Sequence, residues 1–414
     1  MDQKHVLIVG AGITGIATAI SLQREGWPTT LIDPVRPGSS EQTSFGNAGL
    51  LARTSLMPVA TSALVRKAPA MLLDPNAPLF LRWSYLPRLL PWLAAFVRNV
   101  SEARIGEIAK GLAGMTADTN EYHWALAEGS IAARHIRSGS LLTLYPARQD
   151  YEADSLTIAL RQHYGFVPDC LNRAEIVERD PHIGPTYTFA TAFGDYCWIA
   201  SPGGYVSDLF QLYLDRGGRF RQGRVVNLTP GETPAATLEG GDVLRADTIV
   251  LSAGVWSRDL AKSLGIRMVM EAERGYHLSV KDPTFTAPQP YMVTDAKLVV
   301  TPMTGALRAA GVVEFAGIEA PAEDAPVRLI KRALGRLYPT LEIGECDSWM
   351  GRRPTTADSL PVLGEAAGAP NIIHAYGGQH LGLTIGPKLG RLVTDLISGR
   401  RPNIDLAPYR PDRF

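Results

Sequence analysis

The chain has 414 residues, 45% apolar and 20% charged, a globular balance in a length too great for one small core, so two domains are expected. Its 41 basic residues equal its 41 acidic ones, which argues against a nucleic-acid-binding surface and leaves no nucleic-acid partner expected. Cys170, Cys197 and Cys346 lie far apart without ligand-spaced histidines, so neither a disulfide framework nor a metal site is expected.

The first element is a short apolar strand, Lys4-His5-Val6-Leu7-Ile8-Val9, which runs into Gly10-Ala11-Gly12-Ile13-Thr14-Gly15. Ile16, Ala19, Ile20 and Leu22 then repeat at helical spacing, and a second strand at 29–32 ends in Asp33, 18 positions after Gly15. Strand, GxGxxG turn, helix and acid in this register form a dinucleotide-binding βαβ unit. Gly10 allows the tight turn, Gly12 lets the backbone approach a pyrophosphate, and Gly15 lets helix and strand pack closely. Asp33 is expected to accept from ribose hydroxyls, which makes NADP the least favoured occupant. The glycine turn interrupts the apolar start and no cleavage-like end follows, so a signal peptide is not expected. The expected setting is a reducing, cytoplasmic one, or the inner face of a membrane.

Residues 37–49 are polar and glycine-bearing, and Thr43, Ser44, Asn47 and Ala48 suit a loop lying against a planar ligand. Helices dominate 56–133. Within them 78–100 carries Phe80, Trp83, Trp92 and Phe96 together with Arg82, Arg88, Arg98, Pro87 and Pro91, and it is too interrupted to cross a membrane. Two readings stand for it: a segment lying on a membrane surface, and a helix pair packing over the pocket. The second is preferred because apolar helical stripes are usually core.

A strand at 140–145 follows, then an amphipathic helix at 206–214 stopped by Gly217-Gly218. Phe220, Val225 and Val226 read as one strand, and Thr248-Ile249-Val250-Leu251 as another that leads into Ser252-Ala253-Gly254-Val255-Trp256. These complete the parallel sheet begun at the N-terminus, so the nucleotide domain is discontinuous. Strands at 275–280, 297–301 and 307–313 suggest an antiparallel sheet in an inserted domain, with a helix at 327–337 whose Arg328, Lys331, Arg332 and Arg336 face water. A strand at 372–375, a glycine loop at 376–382 and a helix at 385–397 close the chain, and the helix N-terminus can face developing negative charge on a ligand.

These residues resemble the FAD-dependent amine and D-amino acid oxidoreductases, and most closely their D-amino acid dehydrogenase branch. Four anchors spread over nearly the whole chain carry the resemblance: the GxGxxG unit with Asp33; Thr43-Ser44-Phe45-Gly46-Asn47-Ala48-Gly49; Ser252 to Trp256; and Trp349-Met350-Gly351-Arg352-Arg353-Pro354 with Asp358, Leu360-Pro361-Val362-Leu363-Gly364 and His380-Leu381-Gly382-Leu383-Thr384. The implied architecture is α/β: a discontinuous Rossmann-like FAD domain at 1–55, 196–265 and 345–414. The implied substrate domain is α+β, built on an antiparallel sheet from 56–195 and 266–344.

The resemblance implies extended FAD contacting Gly10, Gly12, Ile13, Thr14, Gly15, Asp33 and Pro34 at its ADP end, with Val226 beside the adenine. Thr43, Ser44, Asn47, Ala48, Gly49 and Leu50 would lie along the pyrophosphate and ring. Ser252, Ala253, Gly254 and Trp256, then Arg353, Gly378 and His380 to Thr384, complete the expected contacts. Arg353, the arginine of the family's Gly-x-Arg-Pro turn, would bind the substrate carboxylate through its planar fork. His380, His277, Tyr276 and Tyr291 are the other candidates to touch substrate or ring. Some relatives tether FAD through a cysteine just before this region, but Cys346 lies on the wrong side of Trp349, so non-covalent FAD is expected. Gln379-His380 departs from the branch's usual Gly-His pair and, with the Leu-Gly-Leu-Thr that follows, is similar to the subgroup acting on D-hydroxyproline and related cyclic imino acids.

The expected reaction is oxidation of a D-amino or cyclic secondary amino acid to the imine, with electrons passed to a quinone or other respiratory acceptor. Three rivals stand beside it. One is a glycine- or sarcosine-type oxidase that uses O2 and releases H2O2. Another is an NAD-dependent opine-type dehydrogenase, and the third is a flavin-bearing subunit of a multi-protein complex that uses 78–100 as its contact face.

Overall fold

The computed structural model describes residues 4–74 and 76–414. Its first layer is a six-stranded sheet in the order Val362–Glu365, Ile372–Tyr376, Thr248–Leu251, Val6–Val9, Thr29–Asp33, Arg219–Gln222. All neighbours pair parallel except Val362–Glu365, which is antiparallel to Ile372–Tyr376. Val6–Val9 is buried along its length, as an unbroken apolar run in a sheet covered on both faces should be. The chain's two ends meet on one face, where helix Gly382–Ile397 packs against helix Ile13–Arg24. Glycine makes that approach possible: a Cβ on Gly390 would lie 2.6 Å from the Thr18 backbone nitrogen.

The expected single strand through Phe220, Val225 and Val226 is instead two. Arg219–Gln222 edges the parallel sheet, while Val225–Thr229 joins Ala235–Leu238 and Val243–Arg245 in a small antiparallel sheet, with Gly223 and Arg224 making the break.

The second layer is a nine-stranded sheet. Eight strands run in the order Cys346–Thr356, Met270–Lys281, Ala306–Phe315, Leu298–Met303, Tyr291–Val293, Ile136–Tyr145, Phe189–Ile199, Asp169–Asn172, and Leu79–Leu81 pairs with Ala306–Phe315. It is antiparallel as expected except at two joins, Tyr291–Val293 with Ile136–Tyr145 and Ala306–Phe315 with Leu79–Leu81. Both joins bring in a strand distant in sequence, where no short hairpin imposes antiparallel pairing. Helix Asp324–Leu337 covers one face, with Ile330, Leu334 and Leu337 in one core with Leu278, Val280 and Leu307. The opposite face of Met270–Lys281 and Cys346–Thr356 is left to the site.

Packing shifts the expected domain division in three places, the first being strand Phe189–Ile199 of the large sheet, which runs across the expected boundary at 196. Ile108, Leu112, Met115 and Leu126 share a core with Ile8, Ile16 and Leu389, so helices Glu102–Thr116 and Thr119–Ala127 belong with the nucleotide layer. Cys346–Thr356 belongs to the large sheet, although 345 onward was expected in the FAD domain. Among the described residues no helix is long and apolar enough to cross a membrane.

Candidate functional site

A cleft of about 1450 Å³ runs between the two layers. At one end it is walled by Asp33, Pro34 and Val226, and it passes Gly10, Gly12, Ile13 and Thr14 at the start of helix Ile13–Arg24. Thr43, Ser44, Asn47, Ala48 and Leu50 line its middle, with Ser252, Ala253, Gly254 and Trp256. Gly378, His380, Leu381, Gly382, Leu383 and Arg353 line the far end.

The near end fits an extended dinucleotide. Gly10 has φ +100°, and a Cβ there would lie 2.4 Å from the Ser252 carbonyl oxygen. Gly12 is the N-cap and brings no side chain, so the helix start stays open toward the cleft. The Ile13 N–H donates to Ser44 Oγ at 3.1 Å, which ties the second anchor to the first. Asp33 accepts from the Ala11 N–H at 2.8 Å, the Val35 N–H at 3.0 Å and Gln42 Nε2 at 3.2 Å. Burial still pushes its carboxyl pKa up, against the pull of those donors. A carboxylate has about four acceptor positions, so one remains for a ribose hydroxyl.

At the far end Arg353 lies on the cleft wall. Its guanidinium is seated over Gly275, where a Cβ would fall 2.1 Å from Cζ. Nη1 donates to Glu273 Oε1 at 2.7 Å and to the Val312 carbonyl at 3.3 Å, while Nη2 reaches the Gly311 carbonyl at 3.5 Å. Glu273 faces Arg353 directly across the strand pair, and its other oxygen accepts from Thr355 Oγ1 at 3.2 Å. His380 presents an exposed face to the cleft although protein surrounds the ring. Desolvation holds its pKa down; Glu273 pulls it up and Arg353 pushes it lower, which places all three in one electrostatic neighbourhood. Glu273 was not among the expected site residues. Its signal in the sequence is its place two before Gly275 on a strand, hence on the same face.

Two expected catalytic residues are corrected. His277 does not line the cleft: Nδ1 meets the Gly46 carbonyl at 2.8 Å, and the ring stacks on Trp349 at 5.3 Å between centroids. Burial lowers its pKa to about 3, so it is a neutral support under the 44–49 loop. Tyr276 borders the cleft, but its hydroxyl donates to Glu314 and accepts from the Glu323 N–H. Its pKa is pushed up to about 12, first by burial and then by Glu314. Tyr291, the weaker candidate, donates to Asp180 at 2.9 Å and does not line the cleft.

Three expected cofactor contacts also stand back from the cleft. Gly15 lies beneath the turn, where a Cβ would meet the Gly10 carbonyl oxygen at 1.9 Å, so its work is close packing. Gly49, at φ +79°, leaves room for the Ile199 carbonyl. Thr384 Oγ1 accepts from the Ala52 N–H at 3.1 Å and so positions the segment after Leu50.

Segment 78–100 forms strand Leu79–Leu81, a turn at Trp83–Tyr85 and helix Leu86–Val97. The packing reading holds for its inner side: Trp92, Leu93 and Phe96 wall the cleft, and Trp92 Nε1 donates to the Thr355 carbonyl at 2.9 Å. Its outer side leaves Trp83 and Leu90 exposed.

A family model described as "DAO: FAD dependent oxidoreductase" matches residues 5–396. A protein named D-amino-acid oxidase from Bradyrhizobium diazoefficiens is 35% identical over 420 residues, covering 100% of this chain and 99% of that one. One named D-amino acid dehydrogenase from Granulibacter bethesdensis is 28% identical, covering 99% of each. Among solved structures, glycine oxidase from Geobacillus kaustophilus superposes with a TM-score of 0.73 at 19% identity over 100% of both chains. L-amino acid deaminase from Proteus myxofaciens, solved with anthranilate, gives 0.73 at 14% identity over 100% of this chain and 94% of that one. Likeness at that identity supports the shared fold.

Proposed function

This chain belongs to the DAO family of FAD-dependent oxidoreductases, and on that premise we propose that it oxidises a D-amino acid or a cyclic secondary amino acid, of the D-proline or D-hydroxyproline kind, to the imine. FAD, when bound, would supply a two-electron acceptor for the hydride that leaves Cα. The chain's own residues bind, orient and desolvate. Gly10 to Thr14, Asp33, Pro34 and Val226 would hold the nucleotide end, and Thr43 to Leu50 with Gly378 to Leu383 the remainder, without a covalent link.

The observation that carries the reading is Arg353, a guanidinium held on the cleft wall beside the His380 loop with part of its surface open. Its planar fork suits a carboxylate, and fixing that group aims the substrate's Cα–H. Orientation of this kind supplies on the order of 7 to 11 kcal/mol of barrier reduction without a strong base. His380, whose pKa desolvation holds down, would touch the substrate amine.

For the electrons, the first reading is a respiratory acceptor. The relatives named D-amino acid dehydrogenase support it, as does the outer face of helix Leu86–Val97, whose exposed apolar residues and neighbouring Arg88 and Arg98 suit a membrane surface. The second reading, an oxidase using O2, is favoured by the 35% identical relative. Anaerobic bleaching of the bound flavin by a panel of D- and L-amino acids, proline derivatives and N-methylglycine tests the reductive half. If nothing in the panel bleaches the flavin, the reading fails. A peroxide assay set against a dye-linked assay under nitrogen separates the two acceptors.

A further inference from the structure

Glu273 is a carboxylate with 5% of its side-chain surface exposed, yet it lines the same cleft as Arg353 and is paired with it. A lone buried carboxylate beside a carboxylate-binding arginine would repel the substrate's acid group and partly neutralise the arginine, so its presence needs a reason. The ligand's own charge provides one. An amino acid at neutral pH carries a carboxylate and an ammonium on one carbon, and the cleft wall offers a guanidinium and a carboxylate side by side.

Resting on the reading that the substrate is an amino acid, we propose that Glu273 and Arg353 together recognise it as a zwitterion. Arg353 takes the carboxylate and Glu273 takes the ammonium. The contacts leave room for both partners. Each Glu273 oxygen has one donor, Arg353 Nη1 on Oε1 and Thr355 Oγ1 on Oε2, so acceptor positions remain. Arg353 spends one good hydrogen bond on Glu273 and two long ones on the Val312 and Gly311 carbonyls, out of five donors.

The charges also balance. Arg353 and Glu273 sum to zero and so does a zwitterion, so binding leaves no net charge in a partly desolvated cleft. A simple carboxylate lacking the amine would leave one negative charge uncompensated, which is costly there. Glu273 is therefore a specificity determinant that rejects acids without an amine. Trp92 and Phe96 wall the cleft nearby, with the Trp92 indole held by the carbonyl of Thr355, and they keep the pair from being fully hydrated.

The test uses two ligands that cannot be oxidised: 1-aminocyclopentane-1-carboxylate, which has no Cα–H, and cyclopentanecarboxylate, which has no amine. Dissociation constants come from calorimetry on the FAD-loaded protein at neutral pH. Wild type should bind the amino acid at least about tenfold more tightly than the plain acid, in keeping with a charge-assisted contact. Glu273→Gln keeps an oxygen and similar shape but loses the charge, so the amino acid should weaken about tenfold or more while the plain acid holds or tightens. If Glu273 only positioned Arg353, both ligands would weaken together and the inference would fall. Equal affinities in wild type would overturn it without any variant. If substrate amino acids bleach the flavin while wild type shows no amine preference, this inference fails and the amino-acid reading stands. If nothing bleaches it, the reading itself has failed.

Discussion

Gly275→Ala offers a sharp test of where the substrate end lies. A methyl group at 275 would start 2.1 Å from Arg353 Cζ and Nη2 and 2.5 Å from Nε. Ordinary contact begins near 3.4 Å, so the guanidinium must retreat by about 1.3 Å. It cannot do so and keep its 2.7 Å bond to Glu273. A misplacement of about 1 Å in a positioning group costs on the order of 100-fold in rate. Steady-state kcat/KM for the preferred amino acid should therefore fall about 100-fold, mostly through KM. Losing that bond strands a nearly buried carboxylate, so the melting temperature should fall as well. The cofactor cradle at Gly10 to Thr14 follows strand Val6–Val9 of the other sheet, so flavin content should match wild type. A kcat/KM within threefold of wild type would refute the placement of Arg353 against substrate.

Three further outcomes are expected. Arg353→Ala should raise KM by about two orders of magnitude with FAD still bound, checked by kinetics beside the flavin absorbance, and an unchanged KM removes Arg353 from the site. Gly15→Ala puts a Cβ 1.9 Å from the Gly10 carbonyl oxygen, backbone that cannot step aside, so the protein should purify colourless; a yellow preparation with full flavin content contradicts the cradle. Acid should destabilise the fold through His123, His277 and His374, whose pKa values burial lowers to about 4, about 3 and about 4. The unfolded chain takes up these protons near pH 6.5 and the folded one does not, so stability is lost as pH falls from 6.5 toward 4, each histidine contributing about 1.4 kcal/mol per pH unit inside that window. Asp33, with its pKa raised, acts in the opposite sense. Urea midpoints at pH 7 and pH 5 should differ clearly, and equal midpoints would sink the argument.

Local rules made the cofactor half legible. Glycine spacing, helical periodicity and Asp33 lie within a few dozen residues, and each has a backbone reason that no distant segment can override. The far end was only partly readable. Arg353 came from its motif, but Glu273 lies opposite it in register from 80 positions away, and nothing in either strand names the partner. His277 shares its face with Glu273, as alternation requires, yet Trp349 and the Gly46 carbonyl cover it. Tyr276 points to the other face beside an irregularity between Arg274 and Tyr276, where Glu314 takes its hydroxyl. Strand alternation can sort residues by face. It cannot say which part of a face another loop will bury.

That covering loop explains how the two halves of the site keep their spacing. The Trp349 indole donates to the Ser40 carbonyl at 2.7 Å, and Thr43 Oγ1 donates to the Arg352 carbonyl at 3.2 Å. His277 meets the Gly46 carbonyl, and Arg308 Nη1 donates to the Asn47 carbonyl at 2.7 Å. Each partner stands on a strand of the large sheet, and two of those strands also carry Glu273 and Arg353. The loop against which the flavin would lie is thus pinned by the surface that presents the guanidinium. Arg308 shows the cost of this fixing: burial lowers its pKa to about 10, and its bonds go to two carbonyls and to Ser279 Oγ. A desolvated cation spent on loop carbonyls is expensive, and it is justified where a small shift of that loop would separate cofactor from substrate. On the proposed reading, His277 and Arg308 hold that loop still without touching either ligand.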